Sequence, residues 1–151
     1  MKIIRALFIG GLLAAGTVGC AHEAASGSGT AAAPAGGGDG PASAERGGPL
    51  YVQYCAKCHG NAGQGSDKAP PVVGQSALPL DPPAAAKYRK GQFHTARDVF
   101  DFVKANMPPV GDKLAEGQYL DIVAFDLKAN GVDLTGKTIS PDSLTGIVLH
   151  P

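Results

Sequence analysis

The sequence has no excess of charge of either sign. Lysine and arginine together number 13, as do aspartate and glutamate, and the formal net charge is +0 with histidine neutral. The two signs also stay balanced within residues 47–151. The sequence has no basic patch of the kind that binds nucleic acid, so we expect no nucleic-acid partner. The absence of a charge run also argues against a partner drawn in by strong electrostatic steering.

Long hydrophobic runs are scarce as well. An apolar stretch over residues 6–18 follows the positive charges of Lys2 and Arg5. It is shorter than the roughly 20 apolar residues that a membrane-spanning helix needs. A positive start followed by a short apolar stretch is typical of a secretory signal, so residues 1–19 are predicted to be a signal peptide. An anchor that stays uncleaved is the alternative.

Cysteine is rare, and the first of the three is Cys20, at the end of the apolar stretch. Residues 17–20 resemble a bacterial lipobox, in which the cysteine receives lipid, although leucine is usual where Thr17 stands. An odd thiol in an exported protein invites unwanted pairing, which lipid on Cys20 would prevent. We therefore expect a lipoprotein on the periplasmic side of a bacterial membrane, with a soluble periplasmic protein as the alternative.

Residues 20–46 contain mainly alanine, glycine, serine, threonine and proline, and no large apolar side chain. Such a composition cannot bury enough apolar surface to offset the entropy lost on ordering. The sequence therefore predicts a flexible linker over 20–46. Residues 47–151 are then one small folded domain.

The other two cysteines form the pattern C-x-x-C-H with Cys55, Cys58 and His59. This spacing is the attachment signature of haem c. Each sulfur can add to one vinyl group of the haem, and His59 then becomes the proximal ligand of the iron. A thiol–disulfide redox pair would require a βαβ context, which does not follow here. A structural zinc site would require four ligands, and the chain has no second C-x-x-C.

Three helices are predicted in the domain. The first covers about 48–57, and the second begins at Thr95 with a capping box and is stopped by Pro108. The third extends from about Glu116 to Asn130, where a glycine follows. No strand pattern stands out. The tail 132–151 carries no attachment motif, and we expect this extension to wrap the surface.

At this point the chain resembles a single-haem class I c-type cytochrome. Gly47, Tyr51 and Cys55 match the spacing of that family's first helix. The resemblance implies an all-α, small cytochrome c fold, with three main helices wrapped around one covalently bound haem c. It also implies that Gly47 lets the first helix cross closely over the last, with Tyr51 and Phe125 in contact at the crossing.

The resemblance extends to both faces of the iron. Residues 106–109, Asn-Met-Pro-Pro, resemble the family's axial-methionine loop. Met107 is also the one methionine outside the signal, so it is the expected sixth ligand, and a thioether there raises the redox potential. By the same resemblance, a carbonyl of Pro70-Pro71 accepts a hydrogen bond from His59, and we name Pro71 as the cofactor-binding residue. His94 is the other ligand candidate inside the domain, but its position just before a helix cap predicts a surface residue.

The expected function is electron transfer rather than catalysis. The iron would take up and release one electron while His59 and Met107 stay bound, and redox proteins would dock transiently as donor and acceptor. Two alternatives remain: a cytochrome subunit of a larger dehydrogenase or oxidase, and a haem-based sensor or enzyme with an open iron position. Residues 84–97 supply the candidate donors to the haem propionates, among which spacing does not choose. These candidates are Lys87, Tyr88, Arg89, Lys90, Gln92 and Arg97.

Overall fold

The computed structural model describes residues 40–150. Along them lie α1 (Ala44–Tyr54), α2 (Ala56–His59), α3 (Ala96–Asn106), α4 (Glu116–Ala129) and a 3₁₀ helix (Pro141–Gly146). The predicted signal peptide, Cys20 and the linker up to residue 39 lie outside the described residues. None of the described helices has the length and apolar character that crossing a membrane requires.

Helix α1 begins earlier than the composition of the chain predicted. Ser43 caps it, and the Ser43 hydroxyl accepts a hydrogen bond from the Glu45 backbone N–H at 3.2 Å. The predicted linker boundary at Arg46 is therefore too late, because residues 44–46 are already helical. The reason is a long-range contact: Arg46 forms an ion pair with Asp121 of α4 at 2.8 Å. The composition of residues 20–46 could not reveal that partner.

Helices α1 and α4 cross in close contact at Gly47. A Cβ added at Gly47 would lie 1.9 Å from the carbonyl oxygen of Asp121, so only glycine fits there. One turn further along α1, the Tyr51 ring lies 5.2 Å from the Phe125 ring, centroid to centroid. The glycine crossing and the aromatic contact implied by the resemblance are both present.

The second and third predicted helices are confirmed as α3 and α4. At the start of α3, the backbone N–H and the hydroxyl of Thr95 both donate to the Asp98 carboxylate, at 2.7 and 2.9 Å. The first predicted helix is divided into α1 and α2, because the chain turns at Cys55. Within residues 40–150 there is no strand, only an isolated bridge between Thr95 and Val148. The all-α prediction is therefore confirmed.

The C-terminal extension does not simply wrap the surface, as had been expected. Ile139, Leu144 and Ile147 are buried in the core cluster that α3 and α4 also form. The backbone N–H of Ala96 at the start of α3 donates to the Ile147 carbonyl at 2.9 Å. The tail therefore supplies side chains to the core, and its local sequence does not show this because the partners on α3 and α4 are distant in the chain.

Candidate functional site

The three residues of the C-x-x-C-H pattern are held together at the α1–α2 junction. The backbone N–H of Cys55 donates to Tyr51 at the end of α1, at 2.8 Å. The N–H groups of Cys58 and His59 both donate to the Cys55 carbonyl, at 3.1 and 3.0 Å. Both thiols are free and half-buried. One short helical turn therefore presents two thiols and an imidazole from adjoining positions.

The imidazole of His59 is oriented by the loop that follows α2. Its Nδ1 lies 2.8 Å from the carbonyl oxygen of Pro70. Because a carbonyl can only accept, this contact requires the proton on Nδ1 and leaves Nε2 available to bind a metal. The carbonyl contact thus falls on Pro70. Cofactor binding by Pro71 stays a prediction.

Two glycines shape that loop so that Pro70 can reach the histidine. Gly65 has a φ of +84°, and a Cβ there would lie 2.7 Å from the backbone nitrogen of Pro71. The Gly65 N–H donates to the His59 carbonyl at 2.7 Å. Gly63 accepts from the N–H of Val72 at 2.8 Å and closes the base of the loop. The turn is therefore bonded to the histidine at both its side chain and its backbone.

Met107 lies directly after α3, in a backbone held by several bonds. Its N–H donates to Val103 at 2.8 Å, and its carbonyl accepts from the Tyr119 hydroxyl at 2.7 Å. The same hydroxyl accepts from the Leu114 N–H at 3.2 Å. The Lys113 ammonium adds a bond to the Met107 carbonyl at 3.3 Å. The methionine side chain is half-buried, and its role as an iron ligand stays a prediction.

Among the propionate candidates, Arg89 alone is buried, with 7% of its surface exposed. Its Nε donates to the Gly91 carbonyl at 3.0 Å, and a terminal nitrogen donates to the Pro79 carbonyl at 2.6 Å and to the Leu80 carbonyl. The guanidinium also lies over the Phe93 ring at 3.5 Å. Within the described part of the chain no carboxylate pairs with it. An anionic group such as a haem propionate would suit this buried cation.

Sequence reasoning missed the role of Asp126. Its side chain is buried against α1 with 5% of the residue exposed, and its Oδ1 makes no hydrogen bond within residues 40–150. Burial raises the pKa of this carboxyl from 3.8 to about 8. The signal that could have found it is an aspartate inside the apolar stretch of α4, next to Phe125 and Leu127.

The thiol of Cys55 is electrostatically linked to this carboxyl. Burial, then the charge of Asp126, and then Cys58 raise the pKa of Cys55 to about 12. A cysteine used in thiol–disulfide exchange has a lowered pKa, because the thiolate is the reacting species. The microenvironment of Cys55 is therefore unlike that of a thiol redox pair. Two half-buried free thiols beside a histidine with a fixed tautomer do fit the attachment of haem c.

Comparison with known proteins identifies a matching family. The sequence profile of the family described as "Cytochrome C oxidase, cbb3-type, subunit III" matches residues 42–125. That region contains Cys55, Cys58, His59 and Met107. No curated protein matches the chain.

Two solved structures resemble the chain. One is the sulfane dehydrogenase SoxCD from Paracoccus pantotrophus, with a TM-score of 0.53, 23% identity, and coverage of 73% of this chain and 54% of that one. The other is the thiosulfate dehydrogenase TsdBA from Marichromatium purpuratum, with a TM-score of 0.44, 27% identity, and coverage of 57% and 18%. The chain thus spans about half the length of the SoxCD chain that it matches, and this likeness concerns the fold.

Proposed function

Because the chain belongs to the family described as cytochrome c oxidase, cbb3-type, subunit III, and is a single-haem class I c-type cytochrome, we propose that it is an electron carrier with His59 and Met107 as the two axial ligands. When bound, the covalent haem c supplies a one-electron iron couple. The observation that carries the proposal is the bond from His59 Nδ1 to Pro70 beside two free thiols.

The residues around the proposed haem site have separate roles in electron transfer. Cys55 and Cys58 hold the cofactor through their sulfurs, and the short turn between them fixes its position relative to His59. The Pro70 carbonyl keeps the imidazole in one tautomer and one orientation, which keeps Nε2 directed at the metal in both oxidation states. Tyr119 braces the backbone of Met107 from α4. A ligand pair that does not move minimises the reorganisation that accompanies electron transfer.

The ligand assignment is tested by Met107→Ala in the haem-loaded protein. We expect loss of the weak far-red charge-transfer band of the oxidised form and a lower midpoint potential, because a thioether ligand raises the potential. His94→Ala is the matched control. The His94 ring is exposed and contacts Gln92 at 2.9 Å, so its loss should leave both measurements unchanged. An unaltered band in the Met107 variant would exclude this methionine.

Carbon monoxide binding separates the carrier from a sensor or enzyme with an open iron position. With Met107 bound, the reduced wild-type protein should not bind carbon monoxide, while Met107→Ala should bind it readily. Rapid, tight binding to the wild-type protein would favour the open-site alternative instead.

A second proposal is that this carrier works as a cytochrome subunit of a larger complex. The description of its family as an oxidase subunit supports it. The chemistry of the haem site would be the same in both cases, and the donor and acceptor would be redox proteins. If so, purifying the native protein under conditions that preserve complexes should recover a redox protein in a fixed stoichiometric ratio. A carrier that elutes alone at its own mass would favour transient docking.

We further propose export and attachment to a bacterial membrane by lipid on Cys20. The support is the apolar stretch 6–18, the lipobox-like residues 17–20 and the odd cysteine count. A Cys20→Ser variant should move from the membrane to the soluble periplasmic fraction while keeping its haem. If it remains in the membrane, the lipid is not the anchor.

A further inference from the structure

Asp126 is the one buried carboxyl of the described chain that carries an oxygen without a hydrogen-bond partner. Burying a carboxylate without a partner is costly, and the group responds by keeping its proton. With a pKa raised to about 8 by burial, the carboxyl is neutral in neutral solution but close to the point at which it ionises. A group in this condition responds to a change of charge nearby.

Within residues 40–150, no lysine or arginine forms an ion pair with Asp126, and burial is the one cause of its raised pKa. Helix α1 packs against α4 and contributes the titratable group Tyr51, and the turn that ends α1 contributes Cys55. Burial and then the charge of Asp126 raise the pKa of each. The Tyr51 hydroxyl donates to the Gly60 carbonyl at 2.9 Å. Neither α3 nor the loop after α2 places a charged group within range of Asp126 in the described structure, and desolvation alone sets its pKa.

Cys55 connects this carboxyl to the redox centre. Cys55 packs into the same apolar cluster as Ile122 and Phe125, which precede Asp126 on α4, and the charge of Asp126 contributes to the raised pKa of Cys55. A carboxylate there is favoured by the extra positive charge of the oxidised centre, and the protonated form is favoured after reduction. Little water is present to screen the interaction, because Asp126 is 5% exposed.

From this geometry we propose that Asp126 is a redox-coupled proton site, a role that rests on the proposed electron-carrier function. When a one-electron donor reduces the protein, the Asp126 carboxylate takes up one proton from solvent and becomes a neutral carboxyl. When an acceptor withdraws the electron, the same group returns the proton. One electron and one proton enter or leave together, so the net charge of the buried site does not change.

The test is the midpoint potential of the full-length, haem-loaded protein as a function of pH. The wild-type potential should fall as pH rises, between the pKa values of the carboxyl in the oxidised and reduced forms. The limit of the slope is about 59 mV per pH unit, the tenfold value for a one-electron couple. Asp126→Asn should lose this slope, and Asp126→Glu, which keeps a carboxyl, should retain a slope at a shifted pH.

Asp133→Asn is the matched control. The Asp133 carboxylate is exposed, and hydrogen bonds from Thr135 lower its pKa, so it stays ionised across the range. Its replacement should leave the wild-type slope unchanged. Equal slopes in wild type and Asp126→Asn would overturn the proposal, since the haem propionates would then account for any pH dependence.

A second readout does not depend on the potential. The reduced-minus-oxidised infrared spectrum should contain the band of a newly protonated carboxyl, shifted in Asp126→Glu and absent in Asp126→Asn. No such band in the wild-type spectrum would also overturn the proposal. A protein that shows no reversible one-electron reduction would instead contradict the electron-carrier function, so the two failures are distinguishable.

Discussion

The two halves of α4 each bury an aspartate, and the two carboxyls have opposite surroundings. In the N-terminal half, Asp121 is fully buried and accepts from the Arg46 guanidinium at 2.8 and 3.0 Å and from the Ser43 N–H at 2.8 Å. In the C-terminal half, Asp126 is nearly as buried but has an oxygen without a partner. Both face the same neighbour, α1.

This difference separates a structural carboxylate from one suited to a change of charge. The Asp121 carboxylate forms an ion pair with the Arg46 guanidinium, and this bond raises the pKa of Arg46. It fixes where α1 begins. Asp126 has no such partner, and its ionisation depends on what else is charged nearby. Burial of a carboxyl therefore does not define its role, because the partners decide whether it anchors the fold or titrates.

The largest loss of stability should come from adding a side chain where α1 crosses α4. Gly47→Ala places a Cβ 1.9 Å from the Asp121 carbonyl oxygen and 2.8 Å from the Phe125 Cβ. Because backbone atoms must move apart, we expect the free energy of unfolding to fall by about 3 kcal/mol or more. Denaturant unfolding of the haem-loaded protein measures it.

The neighbouring glycine is the control for that prediction. At Gly48, an added Cβ would lie 3.6 Å from the Phe125 ring, which is an ordinary contact. Gly48→Ala should therefore be neutral or stabilising by about 0.5–1 kcal/mol, since alanine is the better helix former. Similar losses in both variants would mean that the crossing is not as close as the structure has it.

The second prediction concerns the pH dependence of the unfolding free energy, to which Asp126 should contribute. In the reduced protein, between about pH 4 and pH 8, folded Asp126 keeps a proton that the unfolded chain releases, so the contribution of this group to stability falls as pH rises. The slope is about 1.4 kcal/mol per pH unit, or about 3 kcal/mol between pH 5 and pH 7. Asp126→Asn should flatten the pH profile of the unfolding free energy. A profile that stays as steep would show that other groups cause it.

The third prediction concerns the ion pair between Arg46 and Asp121 of α4. Arg46→Met removes the cation that faces Asp121, whose side chain is 0% exposed while that of Arg46 is 38% exposed. We expect a loss of about 2 kcal/mol, below the range for a fully buried pair because Arg46 is partly hydrated. Lys128→Met breaks the exposed ion pair with Glu45 and is the control, with no measurable change expected. Equal losses would remove the distinction between the two pairs.

A feature of this fold or site could be predicted from the sequence when the residues that produce it lie close together in the chain. The haem attachment turn was readable because Cys55, Cys58 and His59 are adjacent and their chemistry fixes their spacing. Helices α3 and α4 were readable because their caps and apolar periodicity are local. The Pro70 contact was predicted to within one residue, since a loop motif places two carbonyls near His59 but does not choose between them.

The features that were missed are those that depend on distant partners. The start of α1 depends on the pairing of Arg46 with Asp121, and no local pattern in residues 44–46 indicates it. The tail contributes Ile139 and Leu144 to the core although its composition resembles that of a surface segment. Asp126 lies in an apolar stretch of α4, and only the packing of α1 against that helix shows that the carboxyl is enclosed without a partner for Oδ1.

The smallest effect lies just beyond α4, where Asn130 ties the helix to the loop after α2. Its side-chain nitrogen donates to the Val72 carbonyl at 2.8 Å, and its oxygen accepts from the Gly74 N–H at 3.0 Å. Asn130→Ala should cost about 1 kcal/mol, because water can replace both bonds at this partly exposed position. Hydrogen exchange at Gly74 should accelerate while exchange at Gly47 stays slow. If both amides accelerated together, the segments that pack against the two halves of α4 would open as one unit, and the contrast between the halves would be electrostatic rather than mechanical.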